Sequence, residues 1–281
     1  MFDNFSLIPG EAFTAGAAVV NNVIDKLEKA CGFVATPKGK RKDMEEAVSW
    51  YIEKIKNDTS MPDLVKAARI SNARKEIKEY CNQNDIINIG INNMIEGSDA
   101  SILDDDWLNY FMDRAKNVDS EQLKVIWGKL LAEEVTYGGI TKKLLHILSI
   151  ISSDDAQMFG EVCRYYVNFK GFKDSDGMDG ALQIFDVKKI GLTSMLRLAS
   201  LGLIECGSGG AGTFCSSVEF NEGEEKAIVL EYFGETIKIT LTSNQIKLGV
   251  AALTDEGEAL RKILQVSKVD NLLEDIAKQY K

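Results

Sequence analysis

The sequence predicts a mainly α protein with a smaller α+β part: a helical N-terminal and middle region followed by a winged-helix-like C-terminal domain. Apolar residues recur with a 3.6-residue period through most of the first 165 positions. Only Pro9, Pro37 and Pro62 interrupt that stretch, so helices can run long. After about residue 168 the texture changes to period-two segments separated by glycine turns. The chain therefore divides into a helical N-terminal region at 1–100, a four-helix middle module at 101–168, and a winged-helix-like α+β domain at 169–281. At 281 residues, with 45% hydrophobic and 27% charged residues, it can bury a sizeable core.

The first helix is read from Ala12, Gly16, Val19, Val20, Val23, Ile24, Leu27 and Cys31, with Asn21, Asn22, Asp25, Lys26 and Glu28 on the other face. Gly32 stops it and Pro37 prevents continuation. The basic run Lys38-Gly39-Lys40-Arg41-Lys42 opens a second helix through Trp50, Tyr51 and Ile55, and residues 63–95 form a third of mixed charge. After the polar break Gly97–Ser101, Asp106, Ser120, Thr141 and Ser153 each mark a helix start, since their oxygens can accept from free first-turn amides. Trp107, Phe111, Leu123, Trp127, Leu130, Leu131, Leu144, Leu145, Leu148 and Phe159 supply the core of the resulting four antiparallel helices.

Beyond residue 168, Phe169–Gly180 is a glycine- and aspartate-rich loop, followed by an extended stretch at Leu182–Val187 and a helix at Ser194–Leu201. Phe214–Phe220, Ala227–Phe233 and Thr236–Leu241 alternate as β-hairpin strands. Val250–Arg261 returns through a strand to a helix capped by Thr254, and a last helix reaches Tyr280. The order of helix, Leu201-Gly202-Leu203-Ile204 turn, hairpin and Leu253-Thr254-Asp255-Glu256-Gly257 helix start looks like a winged helix. Used as a DNA reader, its helix would offer Thr193, Ser194 and Arg197, with Lys188 and Lys189 just before it.

Composition excludes several chemistries. One histidine, His146, leaves no triad, relay or zinc site that needs two imidazoles. Its place among leucines, beside Lys142 and Lys143, reads as a partly buried structural histidine. Five scattered cysteines, none at C-x-x-C spacing, are no disulfide framework and suit a reducing cytosol. Neither a signal peptide nor a membrane-length apolar run is evident, so the expected location is cytoplasmic. The net charge of −10 argues against broad nucleic-acid binding. Residues 1–100 carry 13 basic against 15 acidic residues, and residues 101–281 carry 20 against 28, so the acidity lies mainly in the second part.

Motif by motif, the ordinary reading prevails. Gly207–Gly212 has G-x-G-x-x-G spacing, but strand-like residues come after it where a phosphate site requires a helix. Asp174–Asp179 begins like a calcium loop, but Met178, Asp179 and Phe185 occupy positions that need an oxygen ligand, glycine and an acid. The carboxylate clusters Asp104-Asp105-Asp106 and Glu133-Glu134 suit helix starts and solvation better than catalysis. No catalytic, cofactor or metal residue is therefore assigned, and no cofactor is expected.

The middle segment resembles a family, the bacterial proteins grouped as domain of unknown function 2806. The resemblance rests on Asp106-Trp107-Leu108 with Phe111, on Val118-Asp119-Ser120-Glu121 with Leu123, and on Trp127–Ala132 with Glu134. It continues through Gly139, Lys143 and Leu145 and the Ser153–Phe159 helix start, covering about residues 100–165. Glu133 and Tyr137-Gly138 stand where the family has glycine and a proline-glycine loop. The resemblance implies a fold and brings no catalytic residues. Together these readings predict a non-catalytic cytoplasmic interaction or regulatory protein of bacterial type, acting through helical and winged-helix surfaces. A protein partner is expected. A DNA-binding regulator using Lys188, Lys189 and Arg197 is one alternative. Attachment to an anionic membrane surface through residues 11–42, with Lys38, Lys40, Arg41 and Lys42 as contacts, is another. The Ala12–Cys31 stripe and the last helix also offer faces for a homo-oligomer.

Overall fold

The computed structural model describes residues 17–36, 41–170, 182–184, 191–206, 227–241 and 251–279. The chain forms two compact units, Ile8–Ile150 and a second from Ile151 to Lys281. Among the described residues the first holds helices joined by loops, and the second combines helices with an antiparallel sheet.

In the first unit, α1 (Ala17–Cys31) packs on α4 (Asp105–Ala115), with Val23 and Leu27 fully buried and Lys26 paired to Asp105 at 3.3 Å. It ends as the sequence predicts: Gly32 takes φ 65°, and its N–H donates to the Glu28 carbonyl at 2.9 Å. Helices α2 (Arg41–Lys56) and α3 (Asp63–Asn93) form a hairpin. The far half of α3 then lies against α5 (Glu121–Tyr137). Two glycines set that approach. A Cβ on Gly128 would sit 2.4 Å from the Ile89 side chain and 3.0 Å from the Gly90 nitrogen, and one on Gly90 would lie 3.1 Å from the Gly128 carbonyl.

Around this crossing α3 is polar but satisfied. Gln83 donates to the Met112 carbonyl at 2.9 Å, and Asn82 to the Lys116 carbonyl and the Asp119 carboxylate, both at 3.0 Å. Side chains of α3 thus cap α4 from outside, a requirement the end of any helix imposes. Lys124, buried on α5, donates to Asp85 at 2.8 Å and Glu121 at 3.0 Å. Burial alone would lower its pKa; the two carboxylates outweigh that and leave it raised.

Trp107 stacks on Phe111 with ring centroids 5.1 Å apart, and Phe111 meets the tilted Trp127 ring at 5.3 Å, beside buried Leu130 and Leu131. The loop between α5 and α6 (Lys142–Ile150) is clamped at one peptide: Ile140 donates its N–H to Glu134 at 2.7 Å and accepts from the Trp107 indole at 2.8 Å. Two details differ from the sequence reading. Asp104, not Asp106, caps α4, accepting from the Trp107 N–H at 2.8 Å, while exposed Asp106 pairs with Lys142. His146 is exposed, because helical spacing turns Leu144, Leu145 and Leu148 inward and position 146 out.

The second unit begins with α7 (Ser153–Cys163), whose N-cap is Ser152 and not Ser153: Ser152 and Asp155 form a reciprocal capping box. Periodicity groups this helix, with its buried Phe159, among the three helices before it. The structure groups it instead with later elements of the chain, packed on α8 (Leu192–Ser200) and α9 (Asp255–Leu264). The other elements among the described residues of this unit are β1 (Tyr166–Lys170), β2 (Leu182–Ile184), β3 (Ile204–Cys206), β4 (Ala227–Tyr232), β5 (Glu235–Thr240), β6 (Ala251–Leu253) and α10 (Leu272–Gln279).

The six strands form one antiparallel sheet in the order β3-β6-β2-β1-β4-β5. The β4–β5 hairpin turns through Phe233 and Gly234, at φ 49° and 79°, which gives the primed two-residue turn that strand twist favours. Its inward residues Ile228, Leu230, Tyr232 and Ile239 bury Leu272, Leu273 and Ile276 of α10. Tyr232 adds a polar tie, donating to the Arg164 carbonyl at 2.6 Å and accepting from the Val269 N–H at 2.7 Å. The predicted helix, turn and Thr254-capped helix are present, with β3 paired to β6. The Ala227–Leu241 hairpin, however, joins β1 at the other side of the sheet, making a larger sheet than the three strands of a simple winged helix. Phe214–Phe220 lies outside the described residues.

Replacing Gly128 with alanine should push α3 off α5 and cost roughly 1–3 kcal/mol. Urea unfolding of the variant against the parent checks this, with an unchanged midpoint as the contrary outcome.

Candidate functional site

The best-built exposed feature is α8 with the support beneath it. Its inward side chains, Met195 and Leu198, are buried, and its other face is open. Leu192 and Leu196, one turn apart, are 53% and 55% exposed, and Thr193 is exposed beside them. Exposed leucines on consecutive turns of a solvent-facing helix are costly to leave in water, and they make an apolar edge about one helical turn long.

The support is a set of backbone contacts between the two segments singled out in the sequence. Leu203 donates its N–H to the Leu198 carbonyl at 3.1 Å, closing α8. The Leu203 carbonyl accepts from the Thr254 N–H at 3.2 Å, and the Gly202 carbonyl accepts from the Thr254 hydroxyl at 2.7 Å. That hydroxyl also accepts from the Gly257 N–H at 3.0 Å, capping α9. A Cβ on Gly257 would fall 2.0 Å from the Leu203 oxygen, so only glycine lets α9 cross the turn. The motif L-T-x-x-G is thus a docking device for the Leu201–Ile204 turn.

Arg197 fixes α8 from the other side. Its Nε and Nη2 donate to the two oxygens of Asp155, each at 2.9 Å, in a bidentate pair with the start of α7. Those bonds, with the bonds from Ser152, hold the Asp155 carboxyl far below the usual carboxylate range despite its burial. The residue expected to touch nucleic acid is therefore engaged within the protein. Lys188 and Lys189 lie outside the described residues. So do Lys38 and Lys40; Arg41 and Lys42 lie in the first turn of α2, their side chains outside the description.

The carboxylate candidates separate by environment. Asp104, Asp105 and Asp106 are exposed at the start of α4, in capping and ion pairs. Burial raises the pKa of Glu134, only partly offset by the Ile140 N–H, and that bond accounts for the residue structurally. Among the described residues no three of histidine, cysteine, aspartate and glutamate gather as a metal site, and no helix is long and apolar enough to cross a membrane. Sequence reasoning missed the leucine edge of α8. Its signal was available, since Leu192 and Leu196 lie four apart and off the stripe of Met195 and Leu198, but without the neighbouring elements neither stripe could be called the outer one.

A family model described as "Protein of unknown function (DUF2806)" matches residues 67–277, well beyond the segment that carries the sequence resemblance. No curated protein and no solved structure matches the chain.

Changing Asp155 to alanine should cost about 2 kcal/mol, from the lost capping box and charge-assisted bonds. Because the folded pKa of Asp155 is depressed, this stabilisation is complete above the unfolded pKa of about 4 and fades as the pH falls below it. Thermal unfolding from pH 7 to pH 2 should therefore show the gap between parent and variant closing in acid. Arg197→Ala should lower the melting temperature at neutral pH in the same direction.

Proposed function

The chain belongs to the DUF2806 family, and from that premise we propose that it is a non-catalytic interaction or regulatory protein of the bacterial cytoplasm. The observation that carries this reading is the open face of α8, where Leu192 and Leu196 stand exposed on a helix held rigidly by Asp155 and the Leu203 turn. A rigid helix with an apolar edge suits a protein partner, since apolar anchors on fixed elements give binding energy at low ordering cost. A DNA-reading helix would instead present free basic or amide groups, and here the guanidinium of Arg197 is tied to Asp155.

The catalytic alternative draws little support from the carboxylates, whose bonds are explained by capping, ion pairs and a clamped loop. Metal-dependent turnover by the purified protein, lost on changing Asp105 or Glu134, would overturn the non-catalytic reading.

The decisive test is affinity capture by tagged protein from its native cytosol, after nuclease treatment, with parent and a Leu192→Ser, Leu196→Ser variant side by side. Both positions are exposed, so the variant should keep the parent's circular dichroism and melting temperature. A partner held by the parent and lost by the variant is expected. Binding unchanged by the two substitutions, or abolished by nuclease, would remove the α8 reading.

A further inference from the structure

Helix α2 is apolar on two faces. Ile52 and Ile55 are buried and Val48 is half-buried, on the stripe nearest its main packing partner, α3. Ala47, Trp50, Tyr51 and Lys54 form a second stripe at i, i+3, i+4 and i+7, and all four are exposed, Trp50 at 65% and Tyr51 at 43%. Glu46, Trp50 and Lys54 stand on successive turns, so the indole has an exposed acid one turn before it and an exposed base one turn after it. The Lys54 ammonium lies 5.2 Å from the centre of the Trp50 ring. Where Lys66 of α3 donates to the Lys56 carbonyl at 3.3 Å, the first turn of α3 exposes Leu64 and Val65. Val23 and Leu27 of α1, and Leu272, Leu273 and Ile276 of α10, are by contrast buried inside the protein.

Charge and symmetry indicate what covers the outer stripe. The chain carries a net −10, so copies of it repel at long range, but residues 41–93 hold nine basic and nine acidic residues. A balanced face exerts no pull on a strongly charged partner, and it is where two copies approach with least repulsion. The row Glu46–Trp50–Lys54 is also complementary to itself in one orientation. Laid antiparallel about a two-fold axis at Trp50, each copy sets its Glu46 against Lys54 of the other, because the two residues lie equally far on either side of the axis. A parallel arrangement would set like charges together. We propose that the outer stripe of α2 pairs antiparallel with the same stripe of a second copy, indole beside indole at the axis. Aromatic side chains cover roughly 200 Å² each, so the exposed shares of Trp50 and Tyr51 supply a centre of about 400 Å² over two copies. Leu64, Val65 and the charged rim extend it towards the ~1,000 Å² at which specific interfaces begin, which makes the dimer weak and reversible.

Trp107 and Trp127 are buried, so a change in tryptophan emission on association reports Trp50. Sedimentation equilibrium of the full chain across the micromolar range should give a monomer–dimer equilibrium, with emission shifting to the blue as concentration rises. Trp50→Ser with Tyr51→Ser should weaken the dimer at least about tenfold. Glu46→Lys and Lys54→Glu should each weaken it about tenfold as well, by facing like charges across the axis. An equimolar mixture of those two single variants should recover the parent's association, because a mixed pair meets opposite charges at both ends. All four positions are exposed, so each variant should keep the parent's circular dichroism. A chain that stays monomeric at every concentration overturns the proposal. So does a dimer indifferent to these substitutions, a mixture that pairs no better than either variant alone, or a monomer that uses the same stripe to capture a different protein.

Discussion

In the first unit the backbones of α3 and α5 meet at Gly90 and Gly128, and the polar bonds of the neighbouring turns depend on that crossing. With no side chain at either position the two backbones meet, so the neighbouring turns of α3 are near enough to bond into the α4–α5 connection. The segment from Asn82 to Asn93 is rich in asparagine and isoleucine and contains Gly90, all residues below alanine in intrinsic helix propensity. It is helical because its polar groups find tertiary partners. Asn82 and Gln83 hold the end of α4, and Asn84 accepts from the Thr36 N–H at 3.0 Å, anchoring the strand of chain that leaves α1. Here close packing and polar satisfaction are linked: a bulkier residue at the crossing would push α3 off α5 and strain these bonds.

In the second unit the corresponding point is a single carbonyl. Leu203 ends the turn after α8 and its oxygen faces the first turn of α9, which passes within reach of the backbone because residue 257 has no Cβ. Thr254 then serves three contacts, donating to Gly202 through its hydroxyl, donating to Leu203 through its N–H, and capping α9. The ion pair of Arg197 with Asp155 ties the same helix to α7. The orientation of α8 is thus set by two independent attachments, which is why its exposed leucines are presented on a rigid edge.

Much of the helical part was legible in the sequence because it rests on local rules. The stop at Gly32, the caps at Ser120 and Thr254 and the inward set Trp107, Phe111, Trp127, Leu130 and Leu131 all derive from spacing and side-chain type. Where two nearby residues could serve as cap, the local rule could not choose. Ser152 prevails over Ser153 because Asp155 three residues on returns the bond, and Asp104 prevails over Asp106 because it places Trp107 in the core. Long-range facts were not legible. The grouping of α7 with the elements after it depends on Arg197, 42 residues away, and the joining of β4 to β1 depends on a register no single strand encodes. The same holds for the candidate sites. Arg197 looks like a free cation in the sequence, and only the fold reveals its partner.

That difference between counted and available charge bears on function more than the total does. The chain's basic residues are fewer than its acidic ones, and in the described part many are already engaged: Lys124 with Asp85 and Glu121, Arg197 with Asp155, Arg261 with Glu258, Arg164 with Glu161. Each such pair removes a cation from the set that could meet an anionic partner, and it leaves the acidic excess to shape the long-range field. A basic surface can then persist only where sequence concentrates cations beyond local acids, and the α2–α3 hairpin, with nine basic and nine acidic residues over 41–93, does not do so. The leucines of α8 sit beside a neutralised arginine, which suits an uncharged protein surface.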